Sequence, residues 1–312
     1  MRRFASRLGQ AVVVMFAVAT VMFLLLRAVP GDPAAVIAGP SATPAAIAAI
    51  RAQYHLNEPI LVQYGHWIAS LLSGNLGTSL TYQEPVSTLI RQNITPSLQL
   101  LAAAMLIGVS VGVALGVLAA THRRRRADLL VSGFTAGMLG MPAFWMGLLL
   151  LLAFSVELHW VPSGGYVSVF ASPLQGLKSL VLPAVTLGLG VAAVQARFVR
   201  GAMIEALGGD YVRTARAKGA SEARVVWIHA LRNALLPVIT ITGIQFGALL
   251  GGVVVIEAVF ARPGLGSVVA TAIANRDYPV VEGVTLVLVA TFSLVNLSVD
   301  LAYAYVDPRI RR

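Results

Sequence analysis

Residues 97–120 read SLQLLAAAMLIGVSVGVALGVLAA, and no side chain in this stretch carries a charge. A helix needs about 20 apolar residues to cross the hydrocarbon core of a bilayer. Runs of this kind recur along the chain, at about 8–29, 97–120, 129–156, 180–199, 235–260 and 283–306. The sequence therefore predicts an all-α polytopic membrane protein with six transmembrane helices.

The overall composition excludes an ordinary soluble domain. Of the 312 residues, 57% are hydrophobic and only 12% are charged, whereas charged residues make up about a quarter of soluble domains. The absence of cysteine excludes thiolate metal sites and leaves the redox compartment open. Arg2, Arg3 and Arg7 precede the first apolar run as in a signal peptide. That run is longer than a typical signal-peptide core and lacks a small-residue cleavage site, so we expect a retained anchor.

The formal net charge of +10 is distributed unevenly along the chain. With six crossings, 17 of the 23 Lys and Arg residues fall in the two terminal tails and in the loops at 121–128 and 197–234. Basic loops stay in the cytoplasm, so we predict that both termini are cytoplasmic. The charge is then an orientation signal, and nucleic acid is not an expected partner. For the run HRRRR at 122–126, contact with membrane lipid head groups is an alternative to simple topology anchoring.

The predicted spans divide the chain into four parts. They are a cytoplasmic tail with the first transmembrane helix (1–29), an external cap segment (30–96), a five-helix core with a cytoplasmic loop at 200–236 (97–306), and a cytoplasmic tail (307–312). Within the cap segment, helical patterns at 45–54 and 59–72 alternate with Pro- and Gly-rich turns. We therefore expect a small folded element outside the membrane.

Small residues and proline affect packing inside the spans. Gly108, Gly112 and Gly116 follow a four-residue spacing that lets helix backbones approach closely. Packing within the chain is the expected reason, and an interface with another chain is the alternative. Pro142 lies inside the third apolar run, where it permits a bend because proline lacks a backbone N–H.

Catalytic motifs are missing from the sequence. The five histidines form no HExxH pair or other metal-ligand spacing, and the chain has neither a GxSxG motif nor a GxxxxGK[ST] phosphate loop. We therefore expect no catalytic residue, no metal site and no ATP hydrolysis by this chain alone.

Polar side chains within the spans are candidates for a solute pathway, because such groups are costly at membrane depth. The candidates are Gln245, Glu257 and Asn296, although packing or helix–helix hydrogen bonding explains each equally well. Ion-coupled carriers typically place carboxylates or broken helices at the membrane midplane. Glu257 lies near the end of the fifth run instead, so a single-chain secondary carrier is the weaker hypothesis.

The basic stretch GGDYVRTARAKGASEARV at 208–225 interrupts the apolar pattern. Asp210 can cap a helix that begins at Tyr211, and Gly219 can end this helix in the left-handed conformation. Ser221 can cap a second helix that continues into the fifth span. With about eight residues, the first helix is shorter than the roughly 12–15 needed for marginal stability in water. It must therefore dock, either on its own bundle or in a groove on a cytoplasmic partner.

The same stretch resembles the cytoplasmic coupling loop of binding-protein-dependent ABC importer permeases. Residues 210–219 (DYVRTARAKG) and 229–237 (HALRNALLP) are similar to the loop of the dipeptide, oligopeptide and nickel branch. The general superfamily motif is less well matched, because RTA at 213–215 stands in place of Glu-Ala-Ala. Further blocks follow in that branch's order: PGDP, GNLGTS, MPAFWMG, LPAVTLG, RPGLG, RDYPVV and the tail VNLSVDLAYAYVDPRIR.

The resemblance implies the type I ABC importer permease fold and a subunit of an ATP-driven importer for peptides or a related small solute. It implies a second homologous permease subunit, two ATP-binding subunits and an external solute-binding protein as partners, in a bacterial inner membrane. ATP and Mg would bind to the ATPase subunits and no cofactor to this chain. A single-chain secondary carrier and a membrane receptor or channel component are the alternatives, and the identity of the solute stays open.

The resemblance also assigns ATPase docking to the helix at 210–220. For the fit into the ATPase we expect Tyr211, Ala215 and Gly219, and for charge pairing we expect Arg213, Arg216 and Lys218. Together with the flanking polar positions, the predicted docking residues are Asp210, Tyr211, Arg213, Thr214, Ala215, Arg216, Lys218, Gly219 and Ser221.

Overall fold

The computed structural model describes residues 2–28, 32–39, 42–53 and 56–306, and in these ranges it contains helices and loops but no β-strand. Thirteen α-helices and two π-helical segments, Leu152–Glu157 and Val225–Ala230, make up the described part. The helices are α1 (Arg2–Ala28), α2 (Pro33–Ala38), α3 (Pro44–Gln53), α4 (Ile60–Leu72), α5 (Val86–Thr121), α6 (Arg126–Gly140), α7 (Ala143–Leu151), α8 (Pro173–Leu207), α9 (Asp210–Ala217), α10 (Glu222–Arg224), α11 (Leu231–Val259), α12 (Leu265–Ala274) and α13 (Tyr278–Val306).

Six membrane crossings account for the long apolar helices. Among the described residues, α1, α5, α8, α11 and α13 are each long and apolar enough to span a membrane. The third predicted span is a pair, α6 and the helix Ala143–Glu157, bent by 105°. The bend falls at Pro142, whose extended backbone (ψ 137°) separates the two helices. With this pair counted as one span, the prediction of an all-α bundle with six crossings is confirmed.

The described residues form two compact units. One lies within Met1–Thr95 and Ser267–Ser293, and the other within Pro96–Gly266 and Leu294–Arg312. In the first unit, α3 and α4 occupy the two helical patterns expected at 45–54 and 59–72, although Tyr54 lies outside the described residues. The division of the chain at 30, 97 and 307 stays a prediction, and the tail at 307–312 also lies outside the described residues.

A buried carboxylate joins two loops of the first unit. Asp277, in the RDYPVV block, accepts hydrogen bonds from Ser79 Oγ (2.5 Å) and from the backbone N–H of Thr81 (2.9 Å). Ser79, in the GNLGTS block, accepts in turn from the backbone N–H of Tyr82 (2.9 Å). Asp277 and Ser79 are both completely buried. The two sequence blocks are therefore parts of one polar contact.

We expect Asp277→Ala to lower the free energy of unfolding by about 3 kcal/mol, because it leaves the buried Ser79 hydroxyl and the part-buried N–H of Thr81 without an acceptor. The measurement is the temperature at which the detergent-purified protein aggregates, followed by size-exclusion chromatography. Asp277→Asn retains an acceptor oxygen, so its aggregation temperature should fall less than that of Asp277→Ala. Equal aggregation temperatures for Asp277→Ala and the wild type would contradict this assignment.

In the second unit, α5 and α8 approach each other closely. A Cβ atom added to Gly108 or Gly116 would lie 2.5 Å from the Cβ of Val191 or Val199, respectively. At Gly112 it would lie 2.6 Å from the Cβ of Gln195 and 2.9 Å from the carbonyl oxygen of Ala192. The three glycines therefore form the surface that α8 packs against, and the expectation of packing within the chain is confirmed.

Candidate docking site

The short basic helix α9 begins where the sequence predicts but is capped differently. Its N-cap is Gly209, and Asp210 lies in the first turn, with Oδ1 3.4 Å from Nη1 of Arg213. The predicted capping role of Asp210 is therefore wrong, although an acidic side chain in the first turn still complements the helix dipole. A Cβ at position 209 would lie 2.6 Å from the ring of Tyr211, so glycine leaves the space that this ring occupies.

The C-terminal end of α9 follows the prediction for Gly219. Its φ of +83° is in the left-handed region, which glycine adopts without steric cost. The backbone N–H of Gly219 donates to the carbonyl of Arg216 (2.9 Å), and that of Ala220 donates to Ala215 (3.1 Å). These two bonds make a Schellman motif, which fixes the direction in which the chain leaves the helix.

A continuous helical segment follows this turn. Ser221 is at the N-cap position of α10, as predicted, but its side chain makes no capping hydrogen bond. From Glu222 the chain runs through the π-helical segment Val225–Ala230 directly into α11, and the junction residues Val225 and Leu231 have α-helical dihedral angles. The predicted continuation into the fifth span is confirmed, whereas the wider π turn was not predicted.

One face of α9 packs on the protein itself. Val212 is completely buried, and α9 packs against the π-helical segment, where Val225 and Ala230 are also buried. Ala230 belongs to an apolar cluster with residues of α5, α8 and α11: Val117, Ala120, Val199, Met203, Ala234 and Val238. Docking of α9 on its own bundle, one of the two sequence alternatives, therefore holds for the Val212 face.

The remaining surface of α9 is open to solvent. Tyr211 is 43% exposed, and Ala215 is half-buried. The other predicted docking residues are exposed: Asp210, Arg213, Thr214, Arg216, Lys218, Gly219 and Ser221. Trp227 and Ile228, on the π-helical segment, are each more than half exposed. The helix thus presents basic and aromatic groups on a surface that this unit leaves uncovered.

The three basic side chains of this surface have different surroundings. Arg216 makes a bidentate ion pair with Glu222 across the Gly219 turn, with Nε–Oε1 at 2.7 Å and Nη2–Oε2 at 3.1 Å. This hydrogen bonding lowers the pKa of the Glu222 carboxyl from its ordinary value. Arg213 has only the long contact to Asp210, and Lys218 makes no ion pair within the described residues. Arg216 therefore braces the turn, and Arg213 and Lys218 are the cations open to a partner.

Of the predicted pathway residues, Gln245 lines a cavity. Its Nε2 donates to the carbonyl of Val191 (3.2 Å). The cavity has a volume of about 190 Å³ and receives three methionines from the bent third span and its break, Met138, Met141 and Met146. The lining is apolar and flexible apart from the amide of Gln245 and the hydroxyl of Thr186.

Glu257 and Asn296, the other two predicted pathway residues, are packed against neighbouring groups and do not line this cavity. Glu257 is completely buried and accepts a hydrogen bond from Ser97 Oγ, which accepts in turn from the backbone N–H of Leu265 (2.8 Å). A Cβ at Gly264 would overlap the Glu257 carboxylate, which explains the glycine after proline in RPGLG. Asn296 is half-buried, with Oδ1 3.3 Å from the position a Cβ of Gly243 would take. Neither residue lines the cavity around Gln245, and their pathway roles stay predictions.

Comparison with known families matches nearly the whole chain. Residues 112–312, more than half of the chain, match the profile of the binding-protein-dependent transport system inner membrane component. Residues 1–100 match the profile of the N-terminal part of such membrane components. The chain belongs to the binding-protein-dependent transport system inner membrane component family. The resemblance seen in the sequence blocks is therefore confirmed, and the protein is a multi-pass permease subunit of an ABC importer.

Relatives of this permease are similar over almost their full length. The probable peptide ABC transporter permease protein y4tP of Sinorhizobium fredii is 44% identical over 305 residues, which cover 98% of this chain and 97% of the relative. The glutathione transport system permease protein GsiC of Salmonella typhimurium is 44% identical over 296 residues, 94% of each chain.

The fold of the permease is shared with a solved ABC transporter. A chain of the inward-facing MetNI methionine ABC transporter superposes with a TM-score of 0.59 at 21% sequence identity. The match covers 71% of this chain and 97% of the solved one. The type I importer permease fold implied by the sequence is therefore confirmed.

Two features of the candidate docking site were not predicted from the sequence alone. Val212 holds α9 on the bundle, and the signal was present, because it is the only aliphatic β-branched residue in DYVRTARA. The Arg216–Glu222 pair was hidden because the two residues are six apart, a spacing that does not align side chains on one helix. The turn at Gly219 brings them together by reversing the chain.

Proposed function

We propose that the protein is the transmembrane permease subunit of an ATP-driven importer for peptides or a related small solute, and that α9 couples it to cytoplasmic ATPases. The single observation that carries the coupling role is the state of α9: a helix of eight residues held by Val212, with Arg213 and Lys218 exposed. The printed functions of the relatives, peptide and glutathione transport, support a peptide-like solute.

The local geometry supports transmission of movement from α9 to the membrane. The Schellman turn and the Arg216–Glu222 pair restrict the joint at Gly219. Beyond the joint, the helical segment runs without a break from Glu222 to Val259 and carries Gln245 on the wall of the methionine-lined cavity. Alternating access requires an element that adopts two positions when the partner changes state. A displacement of α9 by an ATPase would therefore move the cavity wall.

The remaining parts of the proposal follow from the family and from the charge bias. A second homologous permease would form the other half of the pathway, and two ATPase subunits would bind ATP and Mg, so that this chain is not catalytic by itself. Both termini and α9 would be cytoplasmic. Residues 30–96 would face the external solute-binding protein.

Affinity purification from bacterial membranes tests this proposal. A tagged chain, expressed together with the genes adjacent to its own, should purify with a second permease and with ATP-binding subunits. The purified complex should hydrolyse ATP faster when peptide-loaded binding protein is added. A chain that purifies alone and transports peptide in proteoliposomes without ATP would instead be a secondary carrier, and the proposal would be wrong.

A further inference from the structure

A second cavity, separate from the methionine-lined one, lies within the first unit. Its volume is about 270 Å³, and it is enclosed by the end of α1, by α4, by the loop at 75–80 and by the start of α13. Leucine side chains make up much of the wall, and its polar side chains include Arg27, Gln63, His66 and Glu282. Such an arrangement, apolar walls with a few charged groups, is typical of a ligand site.

Arg27 is held in place but is not saturated with hydrogen bonds. Its guanidinium stacks over the ring of Phe23, 3.5 Å from the centroid, and Nε donates to Oε1 of Gln63 (3.2 Å). The amide of Gln63 is fixed by donating to the carbonyl of Glu58 (2.9 Å). Nη1 has one long contact to Glu282 (3.5 Å), and Nη2 has no acceptor among the described residues. An oriented guanidinium with spare donors is suited to a phosphate group.

The carboxyl group of Glu282 lies beside this guanidinium. Its side chain is 9% exposed, and its Oε1 lies 3.5 Å from Nη1 of Arg27. The cavity therefore contains a guanidinium and a buried carboxyl group in contact with each other. A ligand with an excess of negative charge is repelled by Glu282, whereas a zwitterion can place its phosphate at Arg27 and its ammonium at Glu282.

The position of the cavity along the spans indicates where such a ligand comes from. Arg27 lies in the last turn of the apolar run of α1, and Glu282 lies in the first turns of the run that begins at Tyr278. The cavity is thus at the level where the membrane spans of α1 and α13 end. Trp67 in its wall is a residue type enriched at membrane–water interfaces. Leu24 and Leu25, beside Arg27, are at least half exposed and available to acyl chains.

We propose that this cavity binds the head group of a zwitterionic phospholipid from the outer leaflet, with the phosphate on Arg27 and the ammonium on Glu282. The outward assignment rests on the charge bias that places the N-terminus in the cytoplasm. The lipid fastens α4 to the ends of α1 and α13 from the membrane side. The site is distinct from any lipid contact of the basic loops at 121–128 and 197–234, which belong to the second unit.

Native mass spectrometry of the full chain tests the proposal. The protein is purified in mild detergent, supplied with equal amounts of phosphatidylethanolamine and phosphatidylglycerol, and the retained lipid is counted. The wild type should retain one phosphatidylethanolamine. Arg27→Gln should lower this retention about tenfold, the expected loss for a charged hydrogen bond. Glu282→Gln should shift the preference toward phosphatidylglycerol, because the repulsion of a net anion is removed.

The matched control is Arg51→Gln. Arg51 is also on the external side, but it pairs with Asp32 (Nη2–Oδ2 2.6 Å) and does not line the cavity. This variant should retain lipid like the wild type. Unchanged retention in Arg27→Gln, or an unchanged lipid preference in Glu282→Gln, would overturn the proposal. If Arg27→Gln is not monodisperse, Glu282→Gln decides alone. Displacement by soluble glycerophosphoethanolamine without retention of any intact lipid would also overturn it, in favour of a water-soluble zwitterion.

Discussion

Reversal of charge at two positions, Arg213→Glu with Lys218→Glu, is expected to abolish solute transport while the permease still inserts into the membrane. These two basic side chains, on α9 and at its C-cap, have no bidentate ion pair within the described residues. An acidic docking groove on an ATPase would then face two anions instead of two cations. Such like-charge contact costs several kcal/mol, which lowers the affinity for the ATPase by about two orders of magnitude.

Transport of labelled peptide into cells and co-purification of the ATPase are the two measurements for this variant. The matched control is Arg224→Glu with Arg232→Glu, which changes the loop charge equally but lies outside α9. The control should retain the ATPase. If the α9 variant binds the ATPase and transports at the wild-type rate, α9 is not the docking helix.

Replacement of Gly112 by valine is expected to prevent stable folding of the second unit. A Cβ at this position already lies within 2.9 Å of the backbone carbonyl of Ala192 and 2.6 Å from the Cβ of Gln195. Because a backbone atom is involved, the clash cannot be relieved by a change of side-chain rotamer. We expect destabilisation of more than about 3 kcal/mol, the upper range for overpacked cores.

The yield of monodisperse protein after detergent extraction measures this effect. Gly133→Val is the control, because a Cβ at Gly133 on α6 meets no atom within 4 Å. It introduces the same valine into another transmembrane helix and should leave the yield close to that of the wild type. Equal yields for the two variants would show that the α5–α8 contact tolerates a larger separation.

The membrane bundle was largely predictable, because bilayer thickness acts on each helix separately and leaves a readable run of apolar residues. The spacing of Gly108, Gly112 and Gly116 was also informative, because close helix packing requires small residues on one face. Pro142 marked the position of the bend, but its angle of 105° depends on packing against α8 and α11 that no local pattern encodes.

The docking site was less predictable, because neighbouring residues could fill the same role and the sequence does not show which of them does. Asp210 has the side chain of a good N-cap, yet the chain places Gly209 there, where Tyr211 leaves no space for a Cβ. Arg216 is similar to Arg213 in the sequence, and only the reversal of the chain at Gly219 brings it to Glu222. The cavity at Arg27 and Glu282 was invisible to sequence reasoning, because the two residues are 255 positions apart.

The π-helical segment Val225–Ala230 also sets the direction, around the axis of the long helix, in which α9 lies. A π turn contains one residue more than an α turn, and each residue of an α-helix advances the chain by about 100° around the axis. The single extra residue therefore determines the angle, measured around the axis of the long helix, between α9 and the side chain of Gln245. A change in length by one residue at this point would re-aim the docking helix around that axis and leave the composition of the docking surface and of the cavity intact.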